Sequence, residues 1–299
     1  MSYQHLVISG GGMKGYIALG SLISINNYYN LNKFKSYIGT SVGSLLCFLL
    51  SIGYTVEEAK QIFINIDITD YLVPDLLNII NMYGICSTEN VKKILMSVGK
   101  QKNIPYDCTF KEHYKITKKK LVITGSNINT QKTEIFSKDK TPNMSIYTAL
   151  LISIALPLLF QPIKYNGFFY VDGGTYLNYP IEISDDIKKT LGIILGMSRT
   201  ENINDFMNYI SVLMGGQGNS FKLYNKYKDR TIDLSILDVN SINFDYNMLE
   251  KHNMLTQGYE ETEKFFLNKF RLMKLKVIFN KIKKSLSSSL TSVSDVVAT

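Results

Sequence analysis

Strand-like and helix-like hydrophobic patterns alternate over the first fifty residues. Residues 5–9, HLVIS, are apolar and partly β-branched and end at glycines, which predicts a buried strand. Residues 16–29 then carry apolar positions at helical spacing. The same order repeats, with a strand predicted at Ser36–Gly39 and a helix at Val42–Ser51. Strand, glycine turn and helix, twice in succession, predict an α/β fold with a parallel sheet.

The pattern continues downstream with further strands and helices. Thr55 and Thr109 each stand three residues before a glutamate, which predicts capping boxes that open two helices. Apolar, β-branched runs predict four more strands, at residues 121–126, 133–136, 168–171 and 191–195. Helical patterns cover 203–224, with interruptions at Gly215, Gly216 and Gly218, and run from Asn247 to about Lys284.

Length and composition predict one large domain with a C-terminal appendage. The 299 residues are 45% hydrophobic and 19% charged, which is ordinary for a globular chain. We assign 1–268 to the domain, 269–285 to a basic amphipathic helical extension and 286–299 to a serine-rich, disordered tail.

The net charge of +8 resides in one segment. Between Lys264 and Lys284 there are eight lysines or arginines and no acidic residue, while the remaining 25 basic residues equal the 25 acidic ones. A general nucleic-acid-binding surface is therefore not expected. Two interpretations of the segment stay open. It docks on an anionic membrane surface, or it packs on the domain with its lysines in solvent.

Cysteine usage and the longest apolar span bear on the compartment. Cys47, Cys86 and Cys108 are odd in number and lack metal-ligand spacing, which favours a reducing, intracellular and cytoplasmic setting. No signal peptide is recognisable. Residues 141–163 are uncharged, but their dense apolar part is short and contains Pro157, so no membrane span is predicted. No metal and no other cofactor is expected.

The stretch GGGMKG admits two interpretations. Gly10, Gly12 and Gly15 spell G-x-G-x-x-G, but a dinucleotide site needs an acidic residue about 20 positions later, and the first one is Glu57. The alternative is an oxyanion hole whose bare backbone amides come from Gly11, Gly12 and Met13. Lys14 adds positive charge to this loop or is an ordinary surface lysine.

A second turn supplies a nucleophile for such an oxyanion hole. The G-x-S-x-G pattern of a nucleophile elbow lies between a predicted strand and helix, and consists of Gly39, Thr40, Ser41, Val42 and Gly43. The sharp turn exposes the hydroxyl of Ser41. Side chains at the two glycines would collide with the neighbouring strand and helix. The helix that follows directs its positive end at the developing charge.

The proton acceptor for Ser41 has two candidates. His252 would complete the order serine, acid, histidine of many hydrolases, whereas His5 is expected to be structural and His113 to lie at the surface. Asp172 ends an apolar strand and precedes Gly173 and Gly174. A carboxylate there can act as the base directly if partial burial raises its pKa. The simpler alternative for Asp172 is an ordinary Asp-Gly turn.

Four stretches in this order make the chain similar to a known family. GGGMKG, GTSVG, SIALPLLFQP and DGGTYLNYP resemble the motifs of the patatin-like phospholipases, and the resemblance covers about residues 5–267. It implies a three-layer α/β/α fold, a Ser41–Asp172 dyad without histidine, and Gly10–Gly15 as the oxyanion loop. It further implies hydrolysis of acyl esters in phospholipids or other acyl lipids. Lys14 stands where this family often has arginine, which preserves the charge but not bidentate geometry.

Two rivals to this function are kept. A catalytically silent lipid-binding protein could share the fold, and a hydrolase of water-soluble esters or thioesters could share the site. The oligomeric state is not predicted.

Overall fold

The computed structural model describes residues 3–66, 74–75, 77–196, 217–237, 239 and 246–297. The chain divides into two compact units, Met1–Glu261 and Thr262–Thr299. The helices are α1 (Gly15–Tyr28), α2 (Val42–Ser51), α3 (Val56–Asn65), α4 (Leu77–Met82), α5 (Glu89–Gln101), α6 (Phe110–Thr117), α7 (Ile146–Ile154), α8 (Gln217–Tyr227) and α9 (Met248–Val297). The strands are β1 (His5–Ile8), β2 (Ser36–Gly39), β3 (Gly84–Cys86), β4 (Lys120–Asn127), β5 (Lys132–Ser137), β6 (Leu158–Phe160), β7 (Ile163–Tyr165), β8 (Phe168–Asp172), β9 (Thr190–Ile194) and β10 (Thr231–Asp233).

A mainly parallel sheet lies at the centre of the first unit. Its strands are arranged in the order β10-β9-β1-β2-β4-β8-β7. The five strands from β10 to β4 are parallel, whereas β8 is antiparallel to β4 and β7 is antiparallel to β8. Strand β5 pairs antiparallel with β4 outside this order. The predicted α/β fold with a parallel core is confirmed.

Both faces of the sheet are covered, because every residue of β1, β2 and β9 is buried. Val7, Ile38 and Val122 are neighbours by register and form a cluster on one face. Leu223, Tyr224 and Tyr227 of α8 pack against this cluster. The intervening residues of the strands point to the other face, where α2 and α7 contact β4. Helices therefore cover the sheet on both sides, as the three-layer prediction requires.

The elements predicted from local patterns are present. Strand β2 and helix α2 begin and end at the predicted residues. Both capping boxes are formed. In the first, Thr55 Oγ1 accepts from Glu58 N at 3.1 Å while Thr55 N donates to Glu58 Oε2 at 2.7 Å. The helix predicted at 203–224 lies outside the described residues up to 216, and α8 begins at Gln217.

The C-terminal helix is longer than predicted. α9 runs to Val297 and therefore includes most of the segment 286–299, for which the sequence predicts disorder. No glycine or proline follows Gly258, so nothing in the sequence interrupts the helix once it has begun. The predicted domain boundary at residue 268 stays a prediction.

His113 is buried, which corrects the surface position expected for it. Phe110 and His113, three residues apart, form the buried face of α6. The Nε2 of His113 lies 2.9 Å from Ser51 Oγ, and burial lowers the pKa of the imidazole to about 4. His5 is buried in β1, with Nδ1 2.6 Å from Ser36 Oγ, as expected of a structural histidine.

The structure describes the burial of the cysteines and the apolar character of the helices. Cys47, Cys86 and Cys108 are buried as free thiols. Among the helices of the described chain, none combines the length and apolar character needed to cross a bilayer.

Candidate active site

Ser41 occupies a strained turn between β2 and α2. Its φ of 53° and ψ of −130° lie where residues with a side chain rarely occur. The turn is held from two sides, since Ser41 N donates to Ser153 Oγ at 2.9 Å and Ser44 Oγ donates to Ser41 O at 2.6 Å. The strand–turn–helix elbow predicted from the sequence is therefore present, with the serine at its apex.

The two glycines of the elbow are required by close backbone contacts. A Cβ on Gly39 would lie 2.5 Å from Gly43 O and from the backbone of Ser44. A Cβ on Gly43 would overlap Ile8 O and lie 2.5 Å from Ser9 O. Because these neighbours are backbone atoms of the sheet and of α2 itself, they cannot rotate away. The collisions predicted from the motif are confirmed.

Gly43→Ala is expected to lower the free energy of unfolding by at least about 3 kcal/mol, because α2 must move away from β1 to accommodate the methyl group. Gly53→Ala is the matched control, since Gly53 has φ +94° but no atom within 4 Å of an added Cβ. That variant should lose about 1–2 kcal/mol from backbone strain alone. Urea denaturation measures the free energy of unfolding of both variants. Equal losses in the two variants would contradict the collision at Gly43.

The register of β4 brings Asp172 to Ser41. Gly39, two residues before Ser41, pairs with Ile123, and Asp172 pairs with Gly125. The elbow and the end of β8 therefore meet the same strand two residues apart, about 7 Å along it. The Thr40 and Thr124 hydroxyls hydrogen-bond at 2.6 Å and tie the elbow to β4.

Asp172 is buried, with 2% of its surface exposed. Burial raises the pKa of its carboxyl to about 7, although the nearby Ser41 hydroxyl and a backbone N–H oppose the shift. That N–H belongs to Gly174 and donates to Oδ1 at 2.7 Å. Oδ2 has no hydrogen-bond partner of good geometry within the described chain. The Ser41 hydroxyl thus lies close enough to the carboxyl to lower its pKa.

The two glycines after Asp172 keep this turn tight. A Cβ on Gly173 would lie 2.5 Å from Thr124 O, and one on Gly174 would lie 3.0 Å from Asp172 Oδ1. Gly173 therefore permits the turn to pack on β4. The lack of a side chain at Gly174 leaves room for the Asp172 carboxyl to accept from the backbone N–H of Gly174.

The glycine loop lies beside the elbow and offers backbone amides. Gly10 N donates to Asn178 O at 3.3 Å and Lys14 N donates to Gly11 O at 3.0 Å, so these two amides already have backbone acceptors. Gly11, Gly12 and Met13 supply the amides that have no backbone acceptor in the described part of the chain. Gly12 and Met13 line a cavity together with Ser41.

Lys14 is not a surface lysine, which settles one of the alternatives left by the sequence. It is 3% exposed, and its Nζ donates to Leu237 O at 3.0 Å. Gly15 begins α1, and its Cα faces Val42 at the start of α2 so closely that a Cβ would lie 2.6 Å from Val42 Cγ2. The N-termini of two helices therefore converge here, and both favour negative charge.

An apolar cavity of about 170 Å³ opens beside Ser41. Leu45 and Leu49, four and eight residues after Ser41 on α2, line it, so it extends about 12 Å along that helix. Its other walls come from α3, α5 and the stretch before β6, and include Phe63, Leu95 and Leu156. Lys251 also borders it, with Nζ 5.8 Å from the centre of the Tyr16 ring. The lining suits a hydrocarbon chain.

Two side chains that position the site were not singled out from the sequence. Ser153 binds the amide of Ser41, and two residues later Ala155 O accepts from Asp172 N at 2.8 Å. Asn178 Nδ2 donates to Gly10 O at 3.2 Å and links the acid turn to the glycine loop. The sequence motifs could have indicated both residues, since Ser153 opens the SIALPLLFQP stretch and Asn178 lies in DGGTYLNYP.

His252 is not brought to Ser41. It is exposed on α9, where its Nδ1 lies 2.9 Å from Met248 O, and it does not line the cavity. The side chains that the fold places together are those of Ser41 and Asp172, and the histidine triad receives no support.

Comparison with known proteins identifies relatives of this chain. A family model described as patatin-like phospholipase matches residues 6–185. The Acanthamoeba polyphaga mimivirus protein R571 is 32% identical, over 87% of this chain and 92% of its own length. The Invertebrate iridescent virus 6 protein 463L, described as a probable lipid hydrolase, is 41% identical over 61% of this chain. The match covers 63% of that relative, so this chain corresponds to less than two thirds of it.

Solved structures share the fold at low identity. VipD from Legionella pneumophila superimposes with a TM-score of 0.61 at 18% identity, over 89% of this chain and 67% of VipD. The type III effector ExoU superimposes with a TM-score of 0.56 at 16% identity, over 90% of this chain and 53% of ExoU. The family model spans more than half of this sequence, and a relative above 30% identity covers most of it. The chain belongs to the patatin-like phospholipase family.

Proposed function

We propose that this chain is a phospholipase A-type acyl hydrolase that uses Ser41 as nucleophile and Asp172 as base. Its family and the viral relative described as a probable lipid hydrolase support a lipid hydrolase. The observation that carries the finer proposal is the position of a strained serine beside a buried carboxyl, at the mouth of an apolar cavity.

In the first half of the proposed reaction, Asp172 takes the proton of Ser41, and Ser41 Oγ attacks the ester carbonyl carbon. The carbonyl oxygen becomes an oxyanion, which the amides of Gly11, Gly12 and Met13 stabilise together with the N-termini of α1 and α2. The intermediate collapses, the carbon–oxygen bond to the lysolipid breaks, and Asp172 returns the proton to the leaving alkoxide. The fatty acyl group remains on Ser41.

In the second half, water replaces the lysolipid. Asp172 accepts a proton from this water, whose oxygen attacks the acyl-enzyme carbonyl. The second oxyanion collapses, Ser41 Oγ leaves and recovers the proton from Asp172, and a fatty acid is released. Because Asp172 is neutral after each proton uptake, its apolar surroundings do not disfavour that state.

The experiment that tests the proposal is product analysis by mass spectrometry on mixed phospholipids, together with labelling by a fluorophosphonate probe. We expect free fatty acid and lysophospholipid, and a probe adduct on Ser41. Labelling without lipid turnover would favour a hydrolase of water-soluble esters or thioesters. Absence of both would favour a lipid-binding protein that lacks activity.

Leu45→Trp is expected to narrow the cavity beside Ser41 and to shorten the acyl chain that the site accepts. We expect kcat/KM for a long-chain ester to fall at least about tenfold relative to an acetyl ester, since the indole occupies the space of the distal chain. Leu249→Trp, at a side chain 70% exposed, is the matched control. An equal loss for both esters would contradict the assignment of this cavity to the acyl chain.

A further inference from the structure

Large apolar side chains are exposed along α4 and the strands next to it. Leu77 is 72% exposed and Ile80 is 81% exposed, and Met82, Tyr83 and Leu158 are also exposed. We name these five residues the α4 rim. No residue of α4 is buried, so this apolar helix does not use its side chains to fill the core of the domain.

The α4 rim is free of charge as well as apolar. Residues 76–88 contain no Asp, Glu, Lys or Arg, and the polar residues on α4 are Asn78 and Asn81. The nearest charged residue along the chain is Asp75, whose Oδ1 accepts from Leu77 N at 2.9 Å at the start of α4. Protein surface that faces water normally carries charged side chains. A surface that binds a charged partner also carries charges, of the opposite sign. An uncharged apolar surface of this kind instead indicates contact with an apolar environment.

Two residues of the rim have a strained backbone conformation. Tyr83 has φ 62° and Leu158 has φ 68°, a conformation unfavourable for bulky residues. The strain is not offset by burial, because both side chains are exposed. Strain combined with apolar exposure is typical of residues retained for a function rather than for stability.

The rim borders the cavity beside Ser41. Strand β3 pairs with β6, with Gly84 opposite Leu158 and Cys86 opposite Phe160. Leu156 and Phe160 line the cavity, whereas Leu158 between them is exposed. The rim therefore adjoins the cavity lining at β6.

We propose that the α4 rim inserts into the surface of a lipid bilayer or aggregate and so brings the cavity mouth against the acyl chains. This inference rests on the proposed function. The position next to the lining of an apolar cavity and the lack of charged residues from 76 to 88 favour lipid over a protein partner, and Tyr83 has the amphipathic character of side chains found at membrane interfaces. The rim is distinct from the basic segment 264–284, whose attraction to lipid would depend on anionic headgroups.

Flotation with neutral phosphatidylcholine vesicles tests the rim, using the full chain with Ser41→Ala so that hydrolysis does not alter the vesicles. In this background, Ile80→Ser and the double variant Leu77→Ser/Ile80→Ser are compared with Ile116→Ser. Ile116 is a 48% exposed isoleucine on α6 that does not line the cavity. We expect the vesicle dissociation constant to rise at least about tenfold for the double variant and to stay unchanged for Ile116→Ser, at low and high salt alike.

Several outcomes would overturn the rim proposal. One is unchanged binding of the double variant, and another is binding that needs anionic lipid and disappears with salt, which assigns docking to segment 264–284. A change in sedimentation but not in vesicle binding would make the rim an interface between copies of the chain. In the active background, the rim variants should retain turnover of a short-chain monomeric ester. Rim-dependent vesicle binding without turnover by the parent chain would refute the proposed function and leave the rim assignment intact.

Discussion

Replacing Ser41 with alanine is expected to reduce phospholipid hydrolysis by at least about 10³-fold, because no acyl-enzyme can form without the hydroxyl. The change is expected to leave the fold intact, since alanine keeps the Cβ and the backbone of the elbow, and Ser41 N still donates to Ser153 Oγ. The measurement is the rate of fatty acid release from phospholipid, together with labelling by a fluorophosphonate probe.

Ser97→Ala is the matched control for this variant. Ser97 is exposed on α5, whose neighbouring residue Val98 lines the cavity while Ser97 itself does not. Its substitution should leave the rate of release and the labelling unchanged. Hydrolysis retained in the Ser41→Ala protein at more than a tenth of the wild-type rate would refute a nucleophilic role for Ser41.

Asp172→Asn is expected to cause a loss of at least about 10³-fold, since the amide has the size of the carboxyl but cannot accept the proton of Ser41. The wild-type chain should show a pH profile set by this carboxyl. With its pKa at about 7, kcat/KM should rise about tenfold from pH 6 to pH 8 as the carboxylate form becomes populated. The measurement is kcat/KM across pH for both proteins, with Asp107→Asn at an exposed carboxyl as control.

Asp172→Asn should lower activity but raise the free energy of unfolding. The pKa of Asp172 is about 7 in the folded chain and 3.8 without burial, so the folded state is penalised as pH rises from about 4 to about 7. Asp172→Asn removes this penalty. We expect its free energy of unfolding to exceed the wild-type value by up to about 4 kcal/mol at pH 8, with little difference at pH 4. A wild-type profile that is flat from pH 6 to 8, or a variant with unchanged stability at pH 8, would contradict the buried base.

The sequence contains some information about residues whose roles the structure reveals. Ser153 and Asn178 lie in stretches used for the family resemblance, yet their roles depend on hydrogen bonds to Ser41 N and Gly10 O. The charged neighbours of His113 predict a surface position, whereas its spacing from Phe110 places both residues on the buried face of α6. For the burial of His113, helical spacing is a better predictor than the charge of the neighbouring residues.

The sequence by itself determined the local elements of this protein. The strand–turn–helix at Ser41, the glycines at 39 and 43 and the two capping boxes follow from interactions between residues a few positions apart. Tertiary structure alone decided the approach of Asp172 to Ser41, because it depends on the register of β4 with two other strands. It also decided the raised pKa of Asp172, which burial produces, and the exposure of α4, whose apolar sequence by itself would suit a buried helix. Local patterns report short-range interactions, whereas burial and juxtaposition arise from contacts between distant parts of the chain.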